Sequence, residues 1–184
     1  MKKIIYITIL FLFSISNSDI NAQELPIDNE TGLISFSEVV LISDTVSKEE
    51  LFNNAKHSFV VLFKNSQKVI QEENKDNGVI VGKGNFSVYA KAFGISAPAG
   101  YVNFTMSIYC KDGRYKYILT NFIHDGAGST MPSVGRLENE KPSSLSWTKK
   151  QWIDVKNQVY LDSQAIIKRI KVEMLKSSPK EEEW

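Results

Sequence analysis

Three consecutive runs of alternating apolar and polar residues lie between Gly78 and Asp125 and predict an antiparallel meander of strands. The middle run is the most regular, since every second residue from Val102 to Cys110 is apolar. The Asp112-Gly113 pair that follows is a preferred sequence for a two-residue hairpin loop of type I′. This pattern places one face of the strands in the core and the other face in solvent.

A two-residue loop at Asp112-Gly113 also fixes the register of the hairpin, because Lys111 must then face Arg114. Counting outward from that pair brings the apolar residues of both strands together on the core side. The same count leaves six residues on the face that no predicted helix covers: Tyr89, Tyr101, Asn103, Tyr109, Ile118 and Phe122. Exposed aromatic side chains favour a surface that binds protein, peptide or glycan. The alternatives are that tyrosines are simply good strand residues, or that a loop covers them.

The segments before the meander supply a strand, a helix and an edge strand. Residues 33–42 alternate imperfectly, because Glu38 interrupts one apolar phase, and this predicts a strand with a bulge or with burial on both faces. Ser47, with a glutamate three residues later, forms a capping-box pattern that starts a helix over residues 48–64. The short polar run over residues 69–73 predicts a strand at the edge of the sheet.

A second helix is predicted over residues 148–176, with Ser146 or Thr148 as its cap. One stripe of this helix would pack on the sheet: Trp152, Val155, Val159, Ile166 and Ile170. The order of elements is therefore strand, helix, four strands and helix, and both helices need the same sheet to bury their apolar stripes. This order predicts an α+β fold in which a curved antiparallel sheet carries both helices on one face.

Two segments lack such periodicity. The loop over residues 125–146 is rich in Gly, Ser and Pro, and its length is typical of a functional or mobile loop. Residues 177–184 follow the second helix as a charged tail that we expect to be disordered.

The start of the chain has the pattern of an export signal. Met1-Lys2-Lys3 is followed by a short apolar run and a polar stretch, and Ala22 offers a small residue for cleavage. The apolar run is shorter than the roughly 20 residues of a spanning helix, so we expect no transmembrane anchor after cleavage. Residues 1–22 are therefore predicted to be a signal peptide, and residues 23–176 a single exported domain.

Charge and cysteine content narrow the class of protein. Cleavage removes Lys2, Lys3 and Asp19, which changes 22 basic and 21 acidic residues to 20 and 20. A nearly neutral chain gives no electrostatic support to nucleic-acid binding. The one cysteine, Cys110, allows no intramolecular disulfide. An exported chain without a disulfide framework fits a bacterial periplasm or surface better than a small disulfide-stapled scaffold.

Three stretches resemble a known family. They are Leu-Pro-Ile-Asp-Asn-Glu-Thr-Gly-Leu-Ile-Ser-Phe-Ser-Glu-Val-Val over residues 25–40, Val-Ile-Val-Gly-Lys-Gly over 79–84 and Lys-Asp-Gly-Arg-Tyr-Lys-Tyr over 111–117. The chain is similar to exported bacterial domains of unknown function with a TATA-binding-protein-like (TBP-like) fold. This resemblance implies the fold and carries over no activity, cofactor or site residue. It does not imply DNA binding, since a fold does not fix a function.

Local motifs give no strong catalytic candidate. Gly82-Lys83-Gly84 lacks the spacing of a phosphate-binding loop and no helix follows it, so the glycines indicate a bend or a close approach of a helix. Cys110 shares the apolar phase of Met106 and Ile108, which favours core packing over a nucleophilic role.

The two histidines are also weak candidates for catalysis or metal binding. His57 and His124 lie on different elements, and we predict neither a metal site nor a cofactor. His124-Asp125, beside the long loop, is the one pair that could carry acid–base chemistry, with Ser129 or Thr130 as a nucleophile. A strand that ends and turns through Asp125 and Gly126 is the simpler interpretation.

The sequence therefore favours a non-enzymatic binding or interaction domain, periplasmic or secreted, which recognises an unidentified protein, peptide or glycan through the open face of its sheet. Two alternatives stay open. One is a hydrolase centred on His124 and Asp125. The other is a structural subunit that docks through a second stripe of the C-terminal helix, formed by Ile153, Tyr160, Ile167 and Met174.

Overall fold

The computed structural model describes residues 24–63, 69–92, 94–140, 142 and 145–176. The predicted signal peptide over residues 1–22 and the predicted tail over residues 177–184 lie outside the described residues. The elements, in chain order, are β1 Ser35–Leu41, α1 Lys48–Leu62, β2 Ile70–Asn74, β3 Val79–Ala92, β4 Ile95–Lys111, β5 Arg114–Asp125, β6 Gly135–Arg136 and α2 Lys149–Met174. The predicted α+β fold is confirmed, and the strand that the sequence pattern did not predict is β6.

All strand pairs are antiparallel in one sheet, ordered β1-β5-β4-β3-β2, with β6 beside β5. The edge position predicted for β2 is confirmed. β1 pairs with β5 without a shift, so the predicted bulge is absent, and Val39 and Leu41 are exposed rather than buried on a second face. Glu38 interrupts the apolar phase because its carboxylate accepts a 2.7 Å hydrogen bond from Tyr117 Oη and pairs with Lys171 Nζ at 2.6 Å.

The hairpin register is confirmed from the Lys111–Arg114 pair as far as the Thr105–Thr120 pair, and it then shifts by one residue. Asn121 has φ +59°, a left-handed conformation that asparagine tolerates better than most residues. Beyond this bulge, Asn103 faces Ile123.

Phe122 is the residue whose predicted position is wrong, because the bulge at Asn121 turns it into the core, where it is 0% exposed. Its ring lies 5.9 Å from Phe36 and 6.0 Å from Phe104, measured between centroids. Phe122 is therefore part of the aromatic centre of the core and not of the open face.

The first helix lies close against the glycine pair of β3. Ser47 Oγ caps α1 by accepting a 3.2 Å hydrogen bond from the Glu50 N–H. A Cβ on Gly84 would lie 2.6 Å from both Phe63 Cε1 and Phe104 Cζ, closer than real Cβ contacts come. The glycines of Gly82-Lys83-Gly84 therefore serve close helix packing.

The second helix begins after Thr148, whose side chain and backbone exchange hydrogen bonds with Gln151 in a complete capping box. The predicted stripe is buried except at Ile166, which is half-buried. The neighbouring Ile167 is buried instead. Tyr160 packs against the core 5.9 Å from the Phe36 ring, and Met174 is buried. Ile167 and Met174 of the second stripe are therefore part of the core, whereas Ile153 and Tyr160 are half-buried. Among the described helices, none has the length and apolar character to cross a membrane.

The stretch after β5, predicted as an aperiodic loop, packs against the end of the sheet. β6 pairs with β5 at Ile123 and His124, and Val134 and Leu137 are buried. The indole of Trp147 donates to Pro132 O at 2.9 Å, and the indole of Trp152 donates to Asn139 O at 2.7 Å. These two indole hydrogen bonds thus hold the stretch against α2 and the core.

Side chains of α2 also cover part of the β3 edge that β2 leaves free. Gln158 accepts a 2.9 Å hydrogen bond from the Tyr89 N–H and donates a 2.7 Å bond to the Tyr89 carbonyl. Gln151 donates to Lys91 O at 3.2 Å. These amides occupy positions that a further strand would use.

Candidate binding face

The sheet face opposite the helices, termed the outer face, carries the candidate site. In the described part of the chain no helix packs on it, and aligned strand pairs set its side chains in rows such as Val39–Lys116–Tyr109–Val79. Six of its apolar or aromatic side chains are between 36% and 75% exposed: Val39, Leu41, Tyr89, Tyr101, Tyr109 and Ile123. Protein surfaces usually scatter such residues, so six on one face mark a candidate interface.

Five of the six residues predicted for this face lie on it. Tyr89, Tyr101, Asn103 and Tyr109 are exposed and Ile118 is half-buried, whereas Phe122 is in the core for the reason given above. Ile123 occupies the outer position beside Asn103 that the sequence pattern assigns to Phe122. The face also includes Val39 and Leu41, whose apolar phase is visible in the sequence but whose place beside β5 is not.

A recess of about 290 Å³ lies at the end of the outer face next to the β4–β5 turn. Its lining comprises Val39, Tyr109, Lys111, Arg114, Tyr115 and Lys116. Cross-strand pairing sets Lys111 beside Arg114 and places Lys116 between Val39 and Tyr109, so an apolar floor of Val39, Tyr109 and the Lys116 stem is bordered by Lys111 and Arg114. We call it the basic recess.

A second recess, of about 220 Å³, lies at the opposite end of the face. It is lined by Ser87, Val88, Tyr89, Pro98, Gly100, Tyr101, Ala127 and Gly128. A Cβ on Gly128 would lie 3.8 Å from Tyr101 Cε2, so the turn after β5 borders the tyrosine ring without covering it. The predicted residues Tyr89 and Tyr101 therefore share one recess, while Tyr109 belongs to the other.

The structure does not join His124 to a nucleophile. The ring is 1% exposed, its Nε2 lies 2.8 Å from Ala99 O, and its Nδ1 accepts a 3.1 Å hydrogen bond from the Val134 N–H. Burial lowers the pKa of His124, against smaller opposing effects of Ala99 O and the Asp125 carboxylate. Both ring nitrogens are thus engaged with the backbone, and the ring packs edge-on against Trp147 and Trp152.

Asp125 and the nearby serines form a separate turn. Asp125 Oδ1 accepts hydrogen bonds from the Ala127 N–H at 3.0 Å and from Ser133 Oγ at 3.2 Å. Ser129 Oγ donates to Gly126 O at 2.9 Å. Because the buried His124 ring and the outward Asp125 carboxylate lie on opposite faces of β5, these residues build a turn and not an acid–base pair directed at a substrate.

The other chemical candidates also fit structural roles. Cys110 is buried, and burial raises the pKa of its thiol to about 12, which keeps it protonated and unreactive near neutral pH. His57 is exposed on α1. Within the described ranges no cluster of three His, Cys, Asp or Glu side chains could hold a metal ion.

The fold and the open face define an α+β domain of the TBP-like class, and a solved structure with this fold supports that assignment. A TBP-like protein from Parabacteroides distasonis has a TM-score of 0.63 at 16% identity, and the alignment covers 84% of this chain and 99% of that protein. A family model for the domain of unknown function DUF4468, with TBP-like fold, matches residues 36–125. Over that segment the chain is similar to this family.

A second solved structure is consistent with the same fold. It is a DUF4468 family protein from Bacteroides ovatus, with a TM-score of 0.53 at 14% identity, and the alignment covers 89% of this chain and 95% of that protein. At such identities the similarity concerns the fold alone. A comparison with curated protein sequences finds no match.

Proposed function

We propose that this chain is a non-enzymatic binding domain, exported to the periplasm or secreted, that recognises a partner through the outer face of its sheet. The observation that carries the proposal is the concentration of six exposed apolar or aromatic side chains on a face that no described helix covers. Burying such side chains against a partner would release about 25 cal/mol for each Å² of apolar surface removed from water. The charged start and apolar run of residues 1–13 support export.

The side chains on this face are suited to recognition. Tyr89, Tyr101 and Tyr109 each offer a large apolar ring and a hydroxyl that can donate or accept a hydrogen bond. They stand on paired strands, so their positions are held by the backbone hydrogen bonds of the sheet and little conformational entropy is lost on binding. A protein, peptide or glycan are the partner classes that this chemistry fits.

The test compares two triple variants of the full chain. Tyr101→Ser, Tyr109→Ser and Ile123→Ser together alter the outer face, and each should cost about 1–2 kcal/mol of unfolding free energy because the side chains are partly exposed. The matched control replaces exposed apolar residues of the helices, Val60→Ser, Leu161→Ser and Val172→Ser.

Each protein is chemically cross-linked in an envelope extract of a bacterium that encodes it, and captured proteins and glycans are quantified. We expect the outer-face variant to lose at least tenfold in recovery of a partner that the wild type and the control retain. Equal recovery by all three proteins, with the outer-face variant folded by circular dichroism, would refute the proposal.

A further inference from the structure

The basic recess differs from the rest of the outer face in its charge. Lys111, Arg114 and Lys116 are all exposed, and within the described residues none of them takes part in a salt bridge. No acidic side chain is among the residues that line the recess. Three cations without a salt-bridge partner beside an apolar floor give this end of the face a local positive charge on a chain whose total charge is only +1.

Acidic residues lie beside the turn that borders the recess, since a Cβ on Gly113 would be 3.0 Å from Asp44 Oδ1. Asp112, in the β4–β5 turn, accepts a 2.7 Å hydrogen bond from the Lys48 N–H at the start of α1. Asp28 accepts hydrogen bonds from Thr31 and Glu30, which lower its pKa, and the charge of Lys116 adds to that effect. The Asp28 carboxylate therefore partly offsets the charge of Lys116.

We propose that the basic recess binds an extended acidic peptide segment of a partner protein, with one apolar side chain of that segment on the floor formed by Val39 and Tyr109. This inference rests on the proposed function and names the partner chemistry for one end of the outer face. Arg114 presents a planar fork of donors that fits a carboxylate, and Lys111 and Lys116 add two ammonium groups to the lining.

The spacing of the cations favours an extended peptide. Arg114 and Lys116 are two residues apart on β5 and point to the same face, which separates their Cα atoms by about 7 Å. Alternate side chains of an extended peptide have the same separation, so two alternate glutamates can meet both cations, and the apolar side chain must share their phase because the residue between them points to the opposite face.

The test measures fluorescence anisotropy of a labelled pentapeptide, Glu-Ser-Glu-Ser-Phe, in which both glutamates and the phenylalanine share one face of the extended chain, titrated with the full chain in 50 mM salt. We expect saturable binding that weakens at least fivefold in 300 mM salt, because screening reduces the attraction between exposed charges. Replacing the glutamates by glutamines, or the phenylalanine by serine, should each reduce the affinity at least fivefold.

Matched protein variants localise the binding. Lys111→Gln, Arg114→Gln and Lys116→Gln together should reduce the affinity at least tenfold, whereas Lys149→Gln, Lys150→Gln and Lys168→Gln, which remove the same charge from exposed positions of α2, should leave it unchanged. Equal loss in both variants, or no binding by the wild type, would overturn the proposal. If the acidic peptide does not bind but envelope capture still depends on Tyr101 and Ile123, this inference fails and the proposed function stands.

The chain has an acidic segment of its own that ends in an aromatic residue, Glu181-Glu182-Glu183-Trp184, and this segment could compete with the peptide for the basic recess. A full-length variant with all three glutamates changed to glutamine provides the control for this competitor. Peptide binding seen only in that variant would show that the chain's own segment is the occupant and would overturn the assignment to a partner.

Discussion

Protonation of His124 should destabilise this protein, because its buried ring is held as a neutral hydrogen-bonding link. Nδ1 accepts from the Val134 N–H, which fixes the proton on Nε2 and directs it to Ala99 O. A proton added to Nδ1 would make this atom a donor that faces the Val134 N–H, which is also a donor, and the hydrogen bond would be lost. Burial lowers the pKa of His124 in the folded chain, so the unfolded chain binds the proton first as the pH falls.

The sign and size of the effect follow from linkage. A group with a lowered folded pKa contributes stability above its unfolded pKa, here about 6.5, and that stability declines as the pH falls below this value. One proton changes the unfolding free energy by up to about 1.4 kcal/mol per pH unit, so up to about 2 kcal/mol is lost between pH 6.5 and pH 5. Asp28, Glu38 and Glu49, whose pKa values are lowered, act at lower pH.

Urea unfolding at several pH values between 8 and 5 measures this loss. The partly buried Asp162, whose pKa is raised by burial, acts in the opposite sense, so the informative quantity is the difference between wild type and His124→Phe. That variant keeps an aromatic ring but leaves Ala99 O and the Val134 N–H without their partner, at a cost of about 2–6 kcal/mol.

Its pH profile should lack the His124 component, whereas His57→Gln, at an exposed position, should keep it. A wild-type profile that matches His124→Phe throughout this range would refute the reasoning.

Two further predictions concern the core and the bulge. Cys110 should resist a thiol reagent at pH 8 in the folded chain and react within seconds in urea, because burial raises its pKa to about 12; fast reaction of the native chain would contradict its placement. Asn121→Gly should preserve stability in urea unfolding, whereas Asn121→Val should cost about 1–2 kcal/mol, because φ +59° strains a β-branched residue. Equal stability of the two variants would show that the bulge imposes no such conformation.

Much of the fold follows from local patterns. The alternation from Val102 to Cys110, the Asp112-Gly113 loop and the caps at Ser47 and Thr148 predict their elements because each depends on neighbours in the sequence. The bulge at Asn121 does not, since Phe122 and Ile123 are both apolar and fit either face. Tertiary packing of Phe122 with Phe36 and Phe104 decides between them.

The candidate face was predictable only where it lies within the meander. The basic recess combines Val39 from the first strand with Lys116 from the fifth, and no local pattern states that β1 lies beside β5. The pairing of β6 with β5 and the contacts of His124 with Val134 and Trp147 could not be predicted for the same reason. They join residues that only the folded chain brings together.

The glutamines along α2 also bear on how a partner can approach. Gln158 makes both backbone hydrogen bonds of Tyr89, and on the opposite border of the sheet the Ser35 N–H donates to Pro26 O, beside an Ile27–Ile34 bridge. At both places the backbone N–H and C=O groups that could pair with another strand already have hydrogen-bond partners. The domain thus discourages fibril-like growth from these borders, and a partner meeting them must be selected by side chains rather than by strand addition.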